Sequence, residues 1–233
     1  MAVLFFRVSK ARSWLLFSPF AKTALSVAET LCLDNASPPV PYFGEMRDVA
    51  ETPSFARDAV ASVMIDEATL QAKVAEIGAA ISRDYAGQQP LLVAVLKGGI
   101  NFMADVLRQV TVPVTIDFIA ISSYGPATQA TGVVRILKDL DRSIQGSHVL
   151  VVEDIIDTGL TLNYILKVLR ARKPASLEVA TLLNKPVHRL ANIELKYKGF
   201  DLPDLFVVGY GLDHEQRYRN LPFVCVLKPE IYR

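Results

Sequence analysis

Apolar residues recur along this chain in two alternating rhythms. Leu70, Val74, Ile77 and Ile81 stand at spacings of four, three and four, the period of one helix face. Asp66 is placed to cap that helix, and Gly87 and Pro90 close it. Leu91–Leu96 is then almost continuously apolar, as a parallel strand buried on both faces is. Lys97-Gly98-Gly99 breaks the run, and Ile100–Arg108 resumes a helical period. Val112–Ile121 predicts a second strand, followed by a polar stretch from Ser122 to Thr131. Val149–Val152 predicts a third strand, with Leu162, Ile165, Leu166 and Leu169 forming a helical face behind it. Leu177–Leu183, Leu205–Val208 and Val224–Leu227 predict further short strands. Strands alternating with helices give an α/β fold, an open and mostly parallel sheet flanked by helices on both faces. Ligands collect at the carboxyl ends of the strands in such sheets, and four polar clusters of this chain fall there.

The region before residue 58 reads differently. Residues 1–28 contain Arg7, Lys10, Arg12 and Lys22 and no acid, with apolar runs at Val3–Phe6 and Trp14–Phe17. The runs are too short to span a bilayer, which takes about 20 apolar residues. The first expectation is an unstructured extension, or a reading frame begun too far upstream with Met46 or Met64 as the later start. The second is an organelle-targeting peptide, whose composition is acid-poor and basic-amphipathic. Residues 34–56, with Pro38, Pro39, Pro41, Gly44 and Pro53, read as a linker. The predicted division is therefore 1–57 as extension and linker, and 58–233 as the folded domain.

Composition adds mainly exclusions. With 51% hydrophobic and 21% charged residues in 233, and no repeat or low-complexity tract, the chain has enough length to bury a core unaided. A formal net charge of +1 points to neither nucleic acid nor a membrane surface as partner. Cys32 and Cys225 are too few for a disulfide framework and fit a reducing compartment, with the cytoplasm as the default location. His148, His188 and His214 form no zinc-ligand cluster with them.

The densest polar cluster is Val149-Leu-Val-Val-Glu153-Asp154-Ile-Ile-Asp157-Thr158-Gly159-Leu160-Thr161. A buried strand delivers two carboxylates and, three residues on, a third; a small-residue turn then opens a helix. Gly159 and the flanking hydroxyls let backbone N–H groups close around a phosphate at the positive helix end. The loop lacks the lysine of a Walker loop and is too short for one, so a nucleoside triphosphate is not the obvious guest. Acids beside an anion site make sense if they hold sugar hydroxyls and a magnesium ion. The plainer alternative is that Thr158 and Thr161 cap a helix and the acids are solvated.

This segment resembles the phosphoribosyl-pyrophosphate signature of type I phosphoribosyltransferases, and its surroundings resemble the hypoxanthine-guanine branch. Val95-Leu-Lys-Gly-Gly, Ser122-Ser-Tyr-Gly, the acidic signature, Leu182-Leu-Asn-Lys-Pro and Phe206-Val-Val-Gly-Tyr-Gly-Leu-Asp follow in the family's order. The resemblance covers roughly residues 60–233. It implies a small hood, built from the C-terminal part, over the base. It implies that Glu153 and Asp154 hold ribose hydroxyls and place magnesium, that Thr158, Gly159, Leu160 and Thr161 hold the 5′-phosphate, and that Asp157 is the catalytic acid–base group near N7 of a purine. Lys97 and Gly98 would meet pyrophosphate through a backbone whose bond before the lysine can be cis. Lys185 would donate to a 6-oxo group, and as a donor-only side chain it penalises the amino group of adenine. Phe206 would stack on the purine with the Val207 backbone at its edge. Asp213 would reach a second magnesium, Arg219 would contact pyrophosphate, and Ser123 and Tyr124 would do so from a mobile loop. Taken singly, Lys97 and Lys185 are ordinary lysines, Phe206 a core residue, and Asp213 with Arg219 a loop ion pair.

The implied activity is purine salvage: transfer of a 5-phosphoribosyl group from 5-phosphoribosyl-1-pyrophosphate to N9 of hypoxanthine or guanine, with magnesium, in a homodimer or homotetramer. Two rivals stand beside it. One is a phosphoribosyltransferase for another base, such as xanthine. The other is a non-catalytic sensor that keeps the pocket and binds nucleic acid, which calls for a basic surface that the near-neutral charge does not announce.

Overall fold

The computed structural model describes residues 52–123 and 134–232. Within them the chain runs β1 (Val60–Ile65), α1 (Glu67–Asp84), β2 (Leu91–Leu96), α2 (Ile100–Gln109), β3 (Thr115–Ser123), β4 (Val134–Lys138) and β5 (His148–Ile156). It continues through α3 (Leu160–Arg170), β6 (Ser176–Asn184), β7 (Tyr197–Asp201), β8 (Val207–Val208), β9 (Val224–Leu227) and α4 (Pro229–Tyr232). Six strands form one sheet in the order β4-β3-β2-β5-β6-β7. All neighbours are parallel except β4, which pairs antiparallel with β3 at the edge. A separate antiparallel sheet, β1-β9-β8, makes the hood.

The periodicities account for the helices. Leu70, Val74, Ile77 and Ile81 are buried on α1, and Asp66 caps it by accepting the Thr69 N–H at 2.7 Å. That stripe meets Phe102, Met103 and Val106 of α2 and one face of β2, β5 and β6. The opposite face of the sheet packs Val93, Val95, Val149 and Val151 against Leu162, Ile165, Leu166 and Leu169 of α3. β2 and β5 are therefore covered on both sides, which is why their sequences lack polar alternation. Phe102 is fully buried, and truncating it to alanine would cost about 3–5 kcal/mol.

Several boundaries differ from the sequence reading. β3 begins at Thr115 rather than Val112 because Pro113 has no N–H for a ladder. Only Val207 and Val208 pair in the segment expected as Leu205–Val208. β1, β4 and β7 were not foreseen. β1 is drawn into the hood by pairing with β9, so the hood takes residues from both sides of the main sheet and not from the C-terminal part alone. Ala56, Ala59 and Val60 pack in its core with Val208, Phe223 and Cys225. β7 is short and polar, and it can pair only because Gly199 lets the two backbones close: a Cβ there would stand 2.3 Å from the Leu182 carbonyl oxygen. Residues 1–51 and Tyr124 lie outside the described residues, so the expectations placed on the extension and on the centre of the Ser122–Thr131 loop fall there too.

Candidate active site

From β2 the chain steps outward to β3, and from β5 it steps the other way to β6 and β7. The carboxyl ends of β2 and β5 therefore flank a switch point, where crevices open in sheets of this kind. β2 delivers Lys97 and Gly98 there, and the Leu96–Lys97 peptide bond is cis. β5 delivers Glu153, Asp154 and, just beyond its end, Asp157. Parallel pairing runs as far as Ile156 with Asn184, and the Lys185 N–H donates to the Ile156 carbonyl at 2.9 Å. Register alone thus sets Lys185 beside the acidic loop.

These ends and the hood enclose a cavity of about 380 Å³, within the range of small-ligand sites. Lys97, Gly98, Asp154 and Asp157 line it from the main sheet, with Lys185 at the end of β6. Phe206, Val207, Asp213 and Arg219 line it from the hood side. Nine residues named from sequence therefore share one wall-to-wall space, joined by Ile155 and Leu212, which the sequence did not single out. Glu153, Thr158, Gly159, Leu160 and Thr161 are not part of this lining. The last four form the turn into α3 instead, with Gly159 at φ +75° as its left-handed N-cap. For Ser123 the structure describes the backbone, which pairs with Val134 at the end of β3.

The electrostatics are concentrated at the two adjacent acids. Asp154 is 7% exposed, and burial pushes its carboxyl up to about 6; Ile155 and Asp154 backbone N–H groups and Arg219 offset part of this, and Asp213 adds to it. Gly98 passes so close that a Cβ there would stand 1.9 Å from Asp154 Oδ2. Burial also pushes Glu153 well above the carboxylate range, with Asp154 adding to it. Its Oε2 is closed off from solvent without a hydrogen-bond partner, and an orphaned buried acceptor carries a desolvation penalty of about 1–3 kcal/mol.

On the hood side, Arg219 Nη2 pairs with Asp213 at 2.5 Å, so the plain ion pair that sequence allowed is the contact present. Gln216 extends it: its Oε1 accepts from Lys97 Nζ at 3.2 Å and from Arg219 Nη2 at 3.4 Å. Gly211, at φ +102°, brings the hood turn onto the Lys97–Gly98 loop, since a Cβ there would stand 2.2 Å from the Gly98 carbonyl oxygen. The same turn is tied to α1 and α2. Tyr210 Oη donates to Asp105 at 2.6 Å, and Gln71 donates to the same oxygen at 2.8 Å.

Arg189 is a residue sequence reading missed. Its guanidinium donates to the Asp157 carbonyl at 3.0 Å, to the Ile156 carbonyl at 3.2 Å, and to Asn184 Oδ1. Leu190 and Ala191 N–H groups donate to the Thr158 carbonyl at 2.9 and 3.2 Å. The segment after Lys185 therefore grips the backbone of the acidic loop. No periodicity or motif marks Arg189, because its targets are main-chain oxygens.

The arrangement can hold an anion against Lys97 and Arg219 and a flat ring against Phe206, with the Asp157 carboxyl in the same lining. The phosphoribosyl transferase domain family matches residues 65–215. The hypoxanthine-guanine phosphoribosyltransferase of Bacillus subtilis (strain 168) is 47% identical over 173 residues, 74% of this chain and 96% of that protein. That of Mycobacterium tuberculosis (strain H37Rv) is 48% identical over 180 residues, 75% of this chain and 89% of that protein. A crystal structure of a hypoxanthine phosphoribosyltransferase from Staphylococcus aureus superposes with a TM-score of 0.75 at 44% identity, covering 78% of this chain and 99% of that one.

Proposed function

Since this chain belongs to the phosphoribosyl transferase family, we propose that it is a purine-salvage enzyme that moves a 5-phosphoribosyl group from 5-phosphoribosyl-1-pyrophosphate onto N9 of hypoxanthine or guanine. The observation that carries this is the meeting of Asp157, Lys185 and Phe206 in the same cavity as Lys97, Asp154 and Arg219. In the reaction the C1′–N9 bond forms as the bond from C1′ to the pyrophosphate oxygen breaks. Asp157 takes or shares the base's proton near N7, a role open to a carboxylate within hydrogen-bond reach. Lys185 donates to the 6-oxo group, Phe206 stacks on the ring, and the Val207 backbone meets its edge. Lys97, Gly98 and Arg219 hold pyrophosphate, Arg219 after leaving Asp213, and Ser123 and Tyr124 close on it. Glu153 and Asp154 hold the ribose hydroxyls. Thr158, Gly159, Leu160 and Thr161 hold the 5′-phosphate at the positive end of α3.

Magnesium fits the donor set. The ion takes oxygen ligands and commonly relies on one or two carboxylates plus substrate phosphates and water. Two buried carboxyls, one with an orphaned oxygen, are the groups a cation would relieve. Glu153 and Asp154 would hold it, with Asp213 placing a second ion, and magnesium would neutralise charge on the departing pyrophosphate. We place the enzyme in the cytoplasm as a homodimer or homotetramer.

The test offers hypoxanthine, guanine, xanthine and adenine separately to wild type, Asp157→Asn and Lys185→Ala. We expect turnover of the first two bases, loss of about 10²-fold or more with Asp157→Asn, and weaker discrimination against adenine with Lys185→Ala. Binding of phosphoribosyl-pyrophosphate with turnover of no base would overturn the reading in favour of a sensor.

A further inference from the structure

Phe206 sits where its support matters. It follows the Leu202–Leu205 connection, it precedes a strand of only two residues, and the residue is 38% exposed. An aromatic ring in such a position turns about two side-chain torsions unless something fixes its plane. Tyr232 does so. The two rings stack with centroids 5.0 Å apart and planes 27° apart. Phe206 lines the cavity, whereas Tyr232 is not among the lining residues and is seated on the hood core. His214 meets Phe206 edge-on, at 5.7 Å and 88°.

Tyr232 is itself anchored. It packs against the hood core of Val60, Val208, Tyr218 and Phe223. Its short helix follows β9 and is held by the Lys228 N–H donating to Ala59 at 2.9 Å and the Ile231 N–H donating to Lys228 at 3.0 Å. A continuous line of packing therefore runs from the hood core through Tyr232 to Phe206 and the cavity.

We infer that Tyr232 is a positioning residue for the purine: it fixes the plane of Phe206 and so completes a three-ring stack of Tyr232, Phe206 and the base. The inference rests on the proposed activity and deepens it. An aromatic contact of this kind is expected to change base affinity about two- to tenfold, with no corresponding effect on the phosphoribosyl donor, which the hood ring does not touch. The stack is made by the ring and not by the hydroxyl, so phenylalanine should substitute for Tyr232.

The experiment measures KM for hypoxanthine, KM for phosphoribosyl-pyrophosphate, kcat and melting temperature in the full chain. The variants are Tyr232→Ala, Tyr232→Leu, Tyr232→Phe, Phe206→Leu and the double Phe206→Leu/Tyr232→Ala. Leucine keeps packing against the hood core while removing the stack, and so stands in should the alanine variant fold poorly. The expected result is a hypoxanthine KM raised about two- to tenfold in Tyr232→Ala and Tyr232→Leu, a donor KM within about twofold of wild type, and wild-type values in Tyr232→Phe. In the Phe206→Leu background Tyr232→Ala should add almost nothing, because residues acting as a unit are not additive. An unchanged hypoxanthine KM, an equal rise in both KM values, or a full additional penalty in the Phe206→Leu background would overturn the inference while leaving the activity intact. A wild-type chain that turns over no base would overturn both.

Discussion

Replacing Gly98 with alanine separates the site's chemistry from the fold's stability. Gly98 has an ordinary negative φ, so alanine meets no backbone strain there and gains about 0.4–1 kcal/mol from a less flexible unfolded chain. The added Cβ, however, would lie 1.9 Å from Asp154 Oδ2, where ordinary contact begins at 3.4 Å. The methyl group or the carboxylate must yield by about 1.5 Å. Backbone gives less readily than a side-chain tip, and the Gly98 carbonyl is also packed against Gly211, so Asp154 is the partner that moves. Overpacking of this kind costs about 1–3 kcal/mol, which set against that gain leaves a net loss of at most about 2.6 kcal/mol. For a domain of this size that upper bound is a fall of about 5–10 °C in melting temperature. A misplacement of about 1 Å in a reacting geometry costs on the order of 10²-fold. Gly98→Ala should therefore remain folded at 25 °C and lose about 10²-fold in kcat/KM, chiefly through the phosphoribosyl donor. Thermal melting and steady-state kinetics on the same preparation check it. A folded variant with kcat/KM within threefold of wild type would refute the placement of Asp154 at the reacting sugar.

Three further outcomes are expected. Gly211→Ala imposes a side chain at φ +102° and brings Cβ to 2.2 Å from the Gly98 backbone oxygen, so strain of about 1–3 kcal/mol should lower the melting temperature by several degrees as well as the activity. Arg189→Ala removes the donor to the Asp157 carbonyl and one of the two donors to the Ile156 carbonyl, which keeps the Lys185 N–H; at about 0.5–1.5 kcal/mol per hydrogen bond lost, the loosened acidic loop should raise the donor KM in kinetics more than the purine KM. Asp139 is held below the usual carboxylate range first by its bidentate hydrogen bonds from Arg172. A depressed folded-state pKa means stability present above the unfolded value near 4 and lost as pH falls through the folded one. Because the pair is partly exposed, it is worth about 0.5 kcal/mol after screening. Denaturant melts of wild type and Arg172→Gln should differ by that amount at pH 7 and converge below pH 4.

What the sequence revealed and what it hid divide along physical lines. β2 and β5 were legible because burial on both faces leaves an unbroken apolar run, and α1 because Leu70 to Ile81 keep one helical face. Asp154 and Asp157 were legible as a polar cluster at the carboxyl end of a buried strand, whereas Lys185 was named only through the family resemblance and is set beside them by the β5–β6 register. β1, β4 and β7 were hidden because each owes its pairing to a distant partner: β9, the edge of β3, and a backbone approach that Gly199 permits. Arg189 was hidden because it recognises carbonyl oxygens, which carry no residue identity. Gln216 and Tyr232 were hidden because their partners, Lys97 and Phe206, lie across the hood.

The central claim is that the cavity joins a phosphoribosyl group to a 6-oxopurine. It is tested most directly by incubating the purified chain with hypoxanthine, phosphoribosyl-pyrophosphate and magnesium and following nucleotide and pyrophosphate together by mass spectrometry. We predict inosine monophosphate and pyrophosphate in equal amounts, formed only when all three components are present, with adenine giving no nucleotide. Donor bound and protected from hydrolysis, with no nucleotide formed from hypoxanthine or guanine, would contradict it.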